Sequence, residues 1–131
     1  MIGAAYIAFV GQAPLRRSGR IAQAIERLER DHQLSVLVET PMLLFLGQPS
    51  ASHLVPDRAG CVFWGPLFDR RSAAFEIRPG DSELYAPAAR FLTQFWGSYV
   101  AFRSQEDVVE VFRDPSGAMP CYFTSVDGIQ I

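Results

Sequence analysis

The chain has 131 residues, the size of one domain with room for a sizeable core, and we treat residues 1–131 as a single domain. Hydrophobic residues make up 49% of the chain and charged residues 20%, a composition that excludes an intrinsically disordered protein. The net charge of −2 offers no attraction for nucleic acid or an anionic membrane, and no apolar run reaches the roughly 20 residues of a membrane span. We therefore expect neither as a partner.

The first third of the chain predicts a strand, a helix and two further strands. An apolar run over residues 4–10 predicts the first strand. A helix is predicted over residues 18–32, with Ser18 as its N-cap, because apolar residues recur there on one face. Those inward-facing residues are Ile21, Ile25 and Leu28. Strands are then predicted over residues 34–39 and 42–46.

The middle of the chain predicts a loop followed by a hairpin. Residues 47–60 are rich in Pro, Ser and Asp and predict the loop. The apolar run 61–64 predicts a buried strand, and after a turn its hairpin partner is expected over residues 73–77. His32 and His53 each stand alone, so neither is expected to bind a metal.

The two cysteines, Cys61 and Cys121, lie in apolar, strand-like runs and have no second ligand at metal-binding spacing. Buried thiols are the favoured interpretation, and a disulfide or thiol chemistry is the alternative. Because unpaired thiols are typical of a reducing compartment, we expect a cytoplasmic protein.

Apolar residues again occur at helical spacing after residue 81. Leu84, Ala88, Leu92 and Phe95 recur on one face, which predicts a second amphipathic helix. Pro87 has no N–H to donate, so we expect a separate first turn near residues 82–86 and a regular helix from Pro87 onward.

Residues 95–123 are predicted to form the central strands of the domain. Two buried strands are predicted over residues 98–102 and 108–112, joined by a polar turn at 103–107. A rigid loop follows, in which Pro fixes one φ and Gly can take a positive φ. A further strand is predicted from Met119, and residues 126–131 predict a turn that opens a strand whose partner lies outside this sequence. Strands outnumber helices, so the predicted class is α+β, with helices covering sheets.

Two segments carry a resemblance to a known family. Gly-Ser-Tyr-Val-Ala-Phe at 97–102 and Arg-Asp-Pro-Ser-Gly-Ala-Met-Pro-Cys-Tyr-Phe at 113–123 resemble the glutaminase-type domain of asparagine synthetases. That family shows Gly-x-Phe-Ala-Phe, then Ala-Arg-Asp-x-x-Gly-x-x-Pro-Leu-Tyr-Tyr. The Asp-Pro-Ser-Gly-Ala-x-Pro form is most similar to the asparagine-synthetase-like lactam synthetases that close lasso peptides. The resemblance implies a class II glutamine amidotransferase domain, with a truncated N-terminal-nucleophile hydrolase fold: an α/β/β/α sandwich of antiparallel sheets.

The catalytic residues of that family are not retained. Its nucleophile is a cysteine directly after the initiator methionine, and here that position is Ile2, which has no nucleophilic group. The Asn-Gly pair of its oxyanion hole corresponds to Trp64-Gly65, which lacks the side-chain donor. Arg58 and Asp81 are the nearest counterparts of the residues that hold the substrate. The resemblance thus implies a vestigial pocket of Trp64, Gly65, Arg58 and Asp81, without glutaminase activity.

The matched loop residues have a structural explanation. Turn geometry and sheet packing account for Gly97, Arg113, Asp114, Gly117 and Pro120. Arg113 and Asp114 are expected to form an ion pair or a turn anchor, not a catalytic dyad. The family's Ser-Gly-Gly-x-Asp-Ser pyrophosphate loop does not occur, so no cofactor is expected here; ATP and Mg²⁺ would be bound only by a separate synthetase domain.

Three interpretations follow. The first is a catalytically inactive glutaminase-like domain of an ATP-dependent, amide-forming enzyme, which covers a synthetase domain in cis or in trans and helps to hold a precursor peptide. The second is a free-standing binding or regulatory module that docks on a separate synthetase. In that case the aromatic residues Trp64, Phe68, Trp96 and Tyr99 would line a pocket or belong to the core. The third is an active hydrolase with an unrecognised site. Cys61 or Cys121 would be a poor replacement for the family's nucleophile, because each lacks the adjacent amine.

Overall fold

Eleven strands and two α-helices make up the part of the chain that the computed structural model describes, residues 5–11, 19–51, 53–56, 60–71, 77, 79–117, 119–126 and 128–131. In chain order they are β1 (Tyr6–Val10), α1 (Gly19–His32), β2 (Ser35–Glu39), β3 (Leu43–Gly47), β4 (His53–Leu54), β5 (Cys61–Trp64), β6 (Leu67–Asp69), a 3₁₀ helix (Ser82–Tyr85), α2 (Ala88–Gln94), β7 (Phe95–Gly97), β8 (Val100–Gln105), β9 (Val108–Arg113), β10 (Ser125–Val126) and β11 (Ile129–Gln130). All their pairings are antiparallel, which confirms the α+β class.

The first sheet has five strands in the order β10-β11-β1-β3-β2. β1 and β3 pair along their whole lengths, from Tyr6 opposite Gly47 to Val10 opposite Leu43. Because successive side chains point to opposite faces, alternate residues of these strands pack against α1. This helix-side cluster consists of Phe9, Ile21, Ile25, Leu34, Leu44 and Leu46. Ile21 and Ile25 are four residues apart, and both are buried as the helical pattern predicted.

The second sheet has four strands in the order β4-β5-β8-β9, and β6 pairs separately with β7. One face of β5 and β8 shares a buried cluster with the face of the first sheet that points away from α1. This inter-sheet cluster consists of Ala8, Val38, Leu43, Phe45, Val62, Trp64, Val100 and Phe102. The Phe45 ring lies 5.1 Å from the Phe102 ring and 5.5 Å from the Trp64 ring, so aromatic contacts join the two sheets.

The opposite face of β5 and β8 packs against the second helical region. The outer cluster there consists of Cys61, Phe63, Leu84, Phe91, Phe95, Tyr99 and Ala101. Phe91 of α2 is fully buried and stacks on Phe63 with ring centroids 5.3 Å apart. Burial of one such side chain stabilises a fold by about 1.5–3 kcal/mol. The predicted burial of Tyr99, Val100, Ala101 and Phe102 is confirmed, because none is more than 4% exposed.

The turn predicted at residues 103–107 is wrong at its start, because Arg103 lies in β8. β8 continues to Gln105, and the turn is confined to Glu106 and Asp107. The Arg103 side chain is buried and its Nη1 donates to the carbonyl oxygens of Leu84, at 3.2 Å, and Ala86, at 2.5 Å. A charged residue that looked solvated in the sequence therefore lies in the strand, because it satisfies carbonyls at the end of the 3₁₀ helix.

The strand predicted from Met119 is also wrong. Residues 119–124 belong to no strand, and Tyr122 and Phe123 are 90% and 82% exposed. Pro120 has no N–H to give to a sheet, and its carbonyl instead accepts a hydrogen bond from the Tyr6 hydroxyl at 2.9 Å. Local apolar composition predicted a strand, but this segment pairs with no strand in the described part of the chain.

Several element boundaries differ from the predictions. The loop at 47–60 contains β4, which pairs with β5, and Phe95 begins β7 instead of ending the helix. β11 finds its partners inside the chain, in β10 and β1, contrary to the expectation of an outside partner. The predicted hairpin partner at 73–77 and the Ser18 cap fall outside the described residues, except for Ile77, which is not in a strand.

The two cysteines are not joined by a disulfide; Cys61 is buried and Cys121 is partly exposed. Among the described residues, no helix is both long enough and apolar enough to cross a membrane.

Candidate functional site

Trp64, the first residue of the predicted vestigial pocket, is a core residue. It ends β5, and its side chain is fully buried in the inter-sheet cluster. The His53 ring stacks on it at 5.3 Å, and the Tyr6 ring approaches to 6.1 Å. A Cβ atom on Gly47 of the first sheet would lie closer than 3.0 Å to the Trp64 ring. Trp64 therefore fills the space between the sheets.

Gly65 lies where two segments of the chain meet. Its φ is +103°, and an added Cβ would lie closer than 3.0 Å to the Ser98 carbonyl oxygen and to the Met119 Cε. Gly97 has the reciprocal constraint, because its φ is +139° and an added Cβ would meet the Pro66 carbonyl. The Ser98 amide donates to that same Pro66 oxygen at 3.0 Å. Backbone and the Met119 side chain thus occupy the space beside Gly65.

Asp81 lies in an ion-pair network. Its Oδ1 accepts the Glu83 amide at 3.0 Å, which caps the 3₁₀ helix, and its Oδ2 lies 2.9 Å from Arg71 Nη2. The same Arg71 binds Asp69, with Nη2 2.7 Å from Oδ2 and Nε 3.1 Å from Oδ1. The hydrogen bond from Arg71 lowers the pKa of the buried Asp69 carboxyl, although burial acts in the opposite direction. Asp81 thus holds the 3₁₀ helix to the end of β6. Arg58 lies outside the described residues.

Asp114 is a buried turn anchor. Its Oδ1 accepts the Tyr99 amide at 3.0 Å, and its Oδ2 accepts the Ser116 hydroxyl. Its own amide donates to the Tyr99 carbonyl at 3.1 Å, and its carbonyl accepts the Gly117 amide at 3.0 Å. Gly117 has a φ of +66°, as the turn requires. In the described part of the chain no ion pair joins Asp114 to Arg113, which is exposed.

The buried Tyr99 side chain lies beside this anchor. Burial, and then the negative charge of Asp114, raise the pKa of Tyr99 to about 12. Its hydroxyl has no hydrogen-bond partner among the described residues. A neutral phenol tolerates burial better than a phenolate, so Tyr99 stays protonated at physiological pH.

The four aromatic residues proposed to line a pocket are not brought together. Trp64 belongs to the inter-sheet cluster and Tyr99 to the outer cluster. The Phe68 and Trp96 rings lie 4.6 Å apart on the β6–β7 pair. None of the four lines either of two cavities that other described residues form.

The larger of these cavities, which we call the β1 cavity, has a volume of about 770 Å³. It is lined by residues 5–8 and Val10, by Phe102, Val109 and Val111 of the second sheet, by residues 119–123, and by Gln130 and Ile131. No Asp, Glu, Lys or Arg is among its described lining residues. The sequence did not predict this cavity. Its only local signal is the apolar segment at 119–123, whose composition also predicts a strand.

The polar groups of the β1 cavity are few. The Tyr6 hydroxyl donates to the Pro120 carbonyl, and burial, followed by the neighbouring Cys121 thiol, raises the pKa of Tyr6. Among the described residues, no group of three or more His, Cys, Asp or Glu side chains could hold a metal ion. The cavity is therefore suited to apolar contact and to backbone hydrogen bonding.

Comparisons of the chain with protein-family models, curated proteins and solved structures give no match.

Proposed function

We propose that this chain is a catalytically inactive, glutaminase-like domain of an asparagine-synthetase-like enzyme, of the type that forms the macrolactam of lasso peptides. Its role is structural: it covers a synthetase domain, in cis or in trans, and helps to hold the precursor peptide. ATP and Mg²⁺ act only in the synthetase domain, and the protein works in the cytoplasm.

The proposed fold is an α/β/β/α sandwich of the N-terminal-nucleophile hydrolase type. Its support is the alternation of side chains along β1, β3, β5 and β8. Residues of β1 and β3 belong in turn to the helix-side and inter-sheet clusters, and residues of β5 and β8 in turn to the inter-sheet and outer clusters. This order corresponds to four layers: α1, the first sheet, the second sheet, and α2.

One observation supports the functional proposal: the residues that match the resembled motifs make contacts that stabilise the fold. Asp114 closes the matched loop onto the start of β8. At the position of the oxyanion hole, Trp64 is buried and Met119 lies against Gly65. Such a loop stabilises a scaffold, while an amide oxygen finds neither a side-chain donor nor space beside Gly65.

The mass of the native polypeptide in its source cells tests this proposal. An antibody raised against the recombinant chain should detect a product several-fold heavier than 14.6 kDa, with the recombinant chain as the size standard. A product of 14.6 kDa that binds no synthetase would contradict it. Release of glutamate from glutamine would refute the inactive site.

The β1 cavity favours a second candidate, a free-standing binding module. Its apolar lining and size suit a docked segment or small ligand. A native product of 14.6 kDa that elutes in a complex from size-exclusion chromatography is the result expected for this alternative.

A further inference from the structure

The Met119 side chain anchors residues 119–123 to the core of the domain. Its terminal methyl carbon, Cε, is so close to Gly65 that a Cβ atom added to that glycine would lie 2.7 Å from it. Met119 also packs against the inter-sheet cluster. The thioether is therefore in contact both with the backbone at Gly65 and with the apolar residues between the two sheets.

Few other contacts hold this segment in place. Residues 119–124 belong to no strand, and among the described residues one hydrogen bond fixes the backbone of residues 119–123, from the Tyr6 hydroxyl to the Pro120 carbonyl at 2.9 Å. Tyr122 and Phe123 are 90% and 82% exposed, so their side chains contribute little packing. Attachment of the segment therefore depends on the apolar contacts of Met119, and of Cys121 beside it.

The sulfur of Met119 is open to oxidation in the folded chain, because the side chain is partly exposed. With hydrogen peroxide, the thioether sulfur attacks one peroxide oxygen, the O–O bond breaks, an S–O bond forms, and the peroxide is reduced to water. The product, a sulfoxide, is a polar hydrogen-bond acceptor. Inside an apolar cluster it finds no donor, so the packed position of the side chain becomes unfavourable.

We propose that Met119 is a redox-sensitive latch: its oxidation to the sulfoxide by hydrogen peroxide releases residues 119–123 from the inter-sheet cluster. The sheets themselves stay folded, because the strand pairs β1–β3 and β5–β8 include no residue of this segment. A methionine sulfoxide reductase returns the thioether, with a dithiol oxidised to a disulfide and the oxygen released as water, and the segment then packs again. The latch does not depend on the proposed function.

The test uses the full chain, treated with hydrogen peroxide and then digested briefly with chymotrypsin, which cleaves after aromatic residues. Cleavage after Tyr122 and Phe123 should be at least about tenfold faster in the oxidised chain, since the rate follows the population in which the segment is detached. Mass spectrometry measures the added oxygen at Met119 and at Met42. Treatment with methionine sulfoxide reductase and dithiothreitol should restore the slow cleavage.

Matched variants assign the effect to one sulfur atom. Met119→Leu keeps an apolar side chain of similar volume that peroxide does not oxidise, so its cleavage should not respond. Met42→Leu is the control, because Met42 is also partly exposed but belongs to none of the three described clusters, and it should respond as the unmodified chain does. Cys121→Ser should also respond, which separates the thioether from the thiol. If Met119→Leu does not fold, comparing cleavage with the extent of oxidation at each methionine gives the same distinction.

Several results would overturn the latch. Cleavage that is unchanged once Met119 is oxidised, or a full response in Met119→Leu, would show that this thioether does not hold the segment. Loss of the response in Cys121→Ser would assign it to the thiol. Loss of the far-ultraviolet circular dichroism signal on oxidation would mean that the whole domain unfolds. None of these results bears on the native mass, so the proposed function fails or stands separately.

Discussion

The two faces of the second sheet are stabilised in different ways. Its outer face packs on aromatic residues but also carries buried charges, Arg103 within β8 and Asp114 after β9. Its inner face meets the first sheet through apolar and aromatic contacts, and the β1 cavity adjoins it. Directional hydrogen bonds satisfy the buried charges of the outer face, whereas apolar and aromatic contacts hold the inner face. The outer face therefore depends on hydrogen-bond geometry, and the inner face depends on packing.

The largest expected effect is on the outer face. Arg103→Met should lower the free energy of unfolding by about 3 kcal/mol, because the carbonyl oxygens of Leu84 and Ala86 and the Glu110 carboxylate lose their donor. Urea denaturation measures this change. Arg90→Met is the matched control, because Arg90 is mostly exposed in its pair with Glu83 and its loss should cost less than about 1 kcal/mol. Equal losses would mean that the buried hydrogen bonds of Arg103 stabilise the fold no more than an exposed ion pair does.

Asp114→Ala should cost about 2 kcal/mol, since it leaves the buried Tyr99 amide without its acceptor and removes the turn anchor. Chemical denaturation at neutral pH measures the change. Asp107→Ala, at an exposed position in the β8–β9 turn, is the control and should change stability by less than about 0.5 kcal/mol. A neutral Asp114→Ala variant would mean that Gly117 and Pro115 form the turn without an anchor.

Alkaline pH should lower the free energy of unfolding, because Tyr99 on the outer face is buried as a neutral phenol. Its pKa is raised to about 12 in the folded chain from 10.0, so its stabilising contribution is complete below pH 10 and is lost as the pH rises from 10 to 12. The unmodified chain should therefore lose on the order of 1 kcal/mol of its free energy of unfolding by pH 11, and Tyr99→Phe should not show this loss. Tyr122→Phe, at a side chain that is 90% exposed, is the control. An unchanged alkaline limb in Tyr99→Phe would contradict the burial of a neutral phenol.

The smallest effect is expected beside the cavity. Tyr6→Phe removes the hydroxyl that binds the Pro120 carbonyl and should cost about 0.5–1.5 kcal/mol. Because that bond links β1 to residues 119–123, proteolytic cleavage within this segment should become faster, whereas hydrogen exchange of the β8 amides should not change. Faster exchange in β8 would show that the Tyr6 hydrogen bond also stabilises the second sheet.

Periodicity predicted the buried elements well. The helix at Gly19–His32, the strand at Cys61–Trp64 and the separate first turn before Ala88 are within one or two residues of their predicted positions. In each case the apolar spacing matches the face that becomes buried, so local pattern and packing agree. Asp114 was also expected to be structural, and its contacts are those of a turn anchor.

The wrong predictions concern segments whose local composition differs from the contacts that they make in the folded chain. Met119 to Phe123 has the composition of a strand but pairs with no strand among the described residues. Arg103 is charged, as turn residues often are, but its guanidinium finds carbonyl acceptors inside the fold. The prediction of the candidate site was the least accurate. Its four residues were collected by resemblance, whereas the β1 cavity is formed by segments far apart in the sequence, which no local pattern joins.

The sequence by itself determined the α+β class and the two amphipathic helices, because the spacing of apolar residues is a local property. Only the tertiary structure decided which face each strand buries, how Arg103 and Asp114 are satisfied, and that segments far apart in the sequence form the β1 cavity. Strand order and hydrogen-bond partners depend on contacts between distant residues, and these form only when the chain folds.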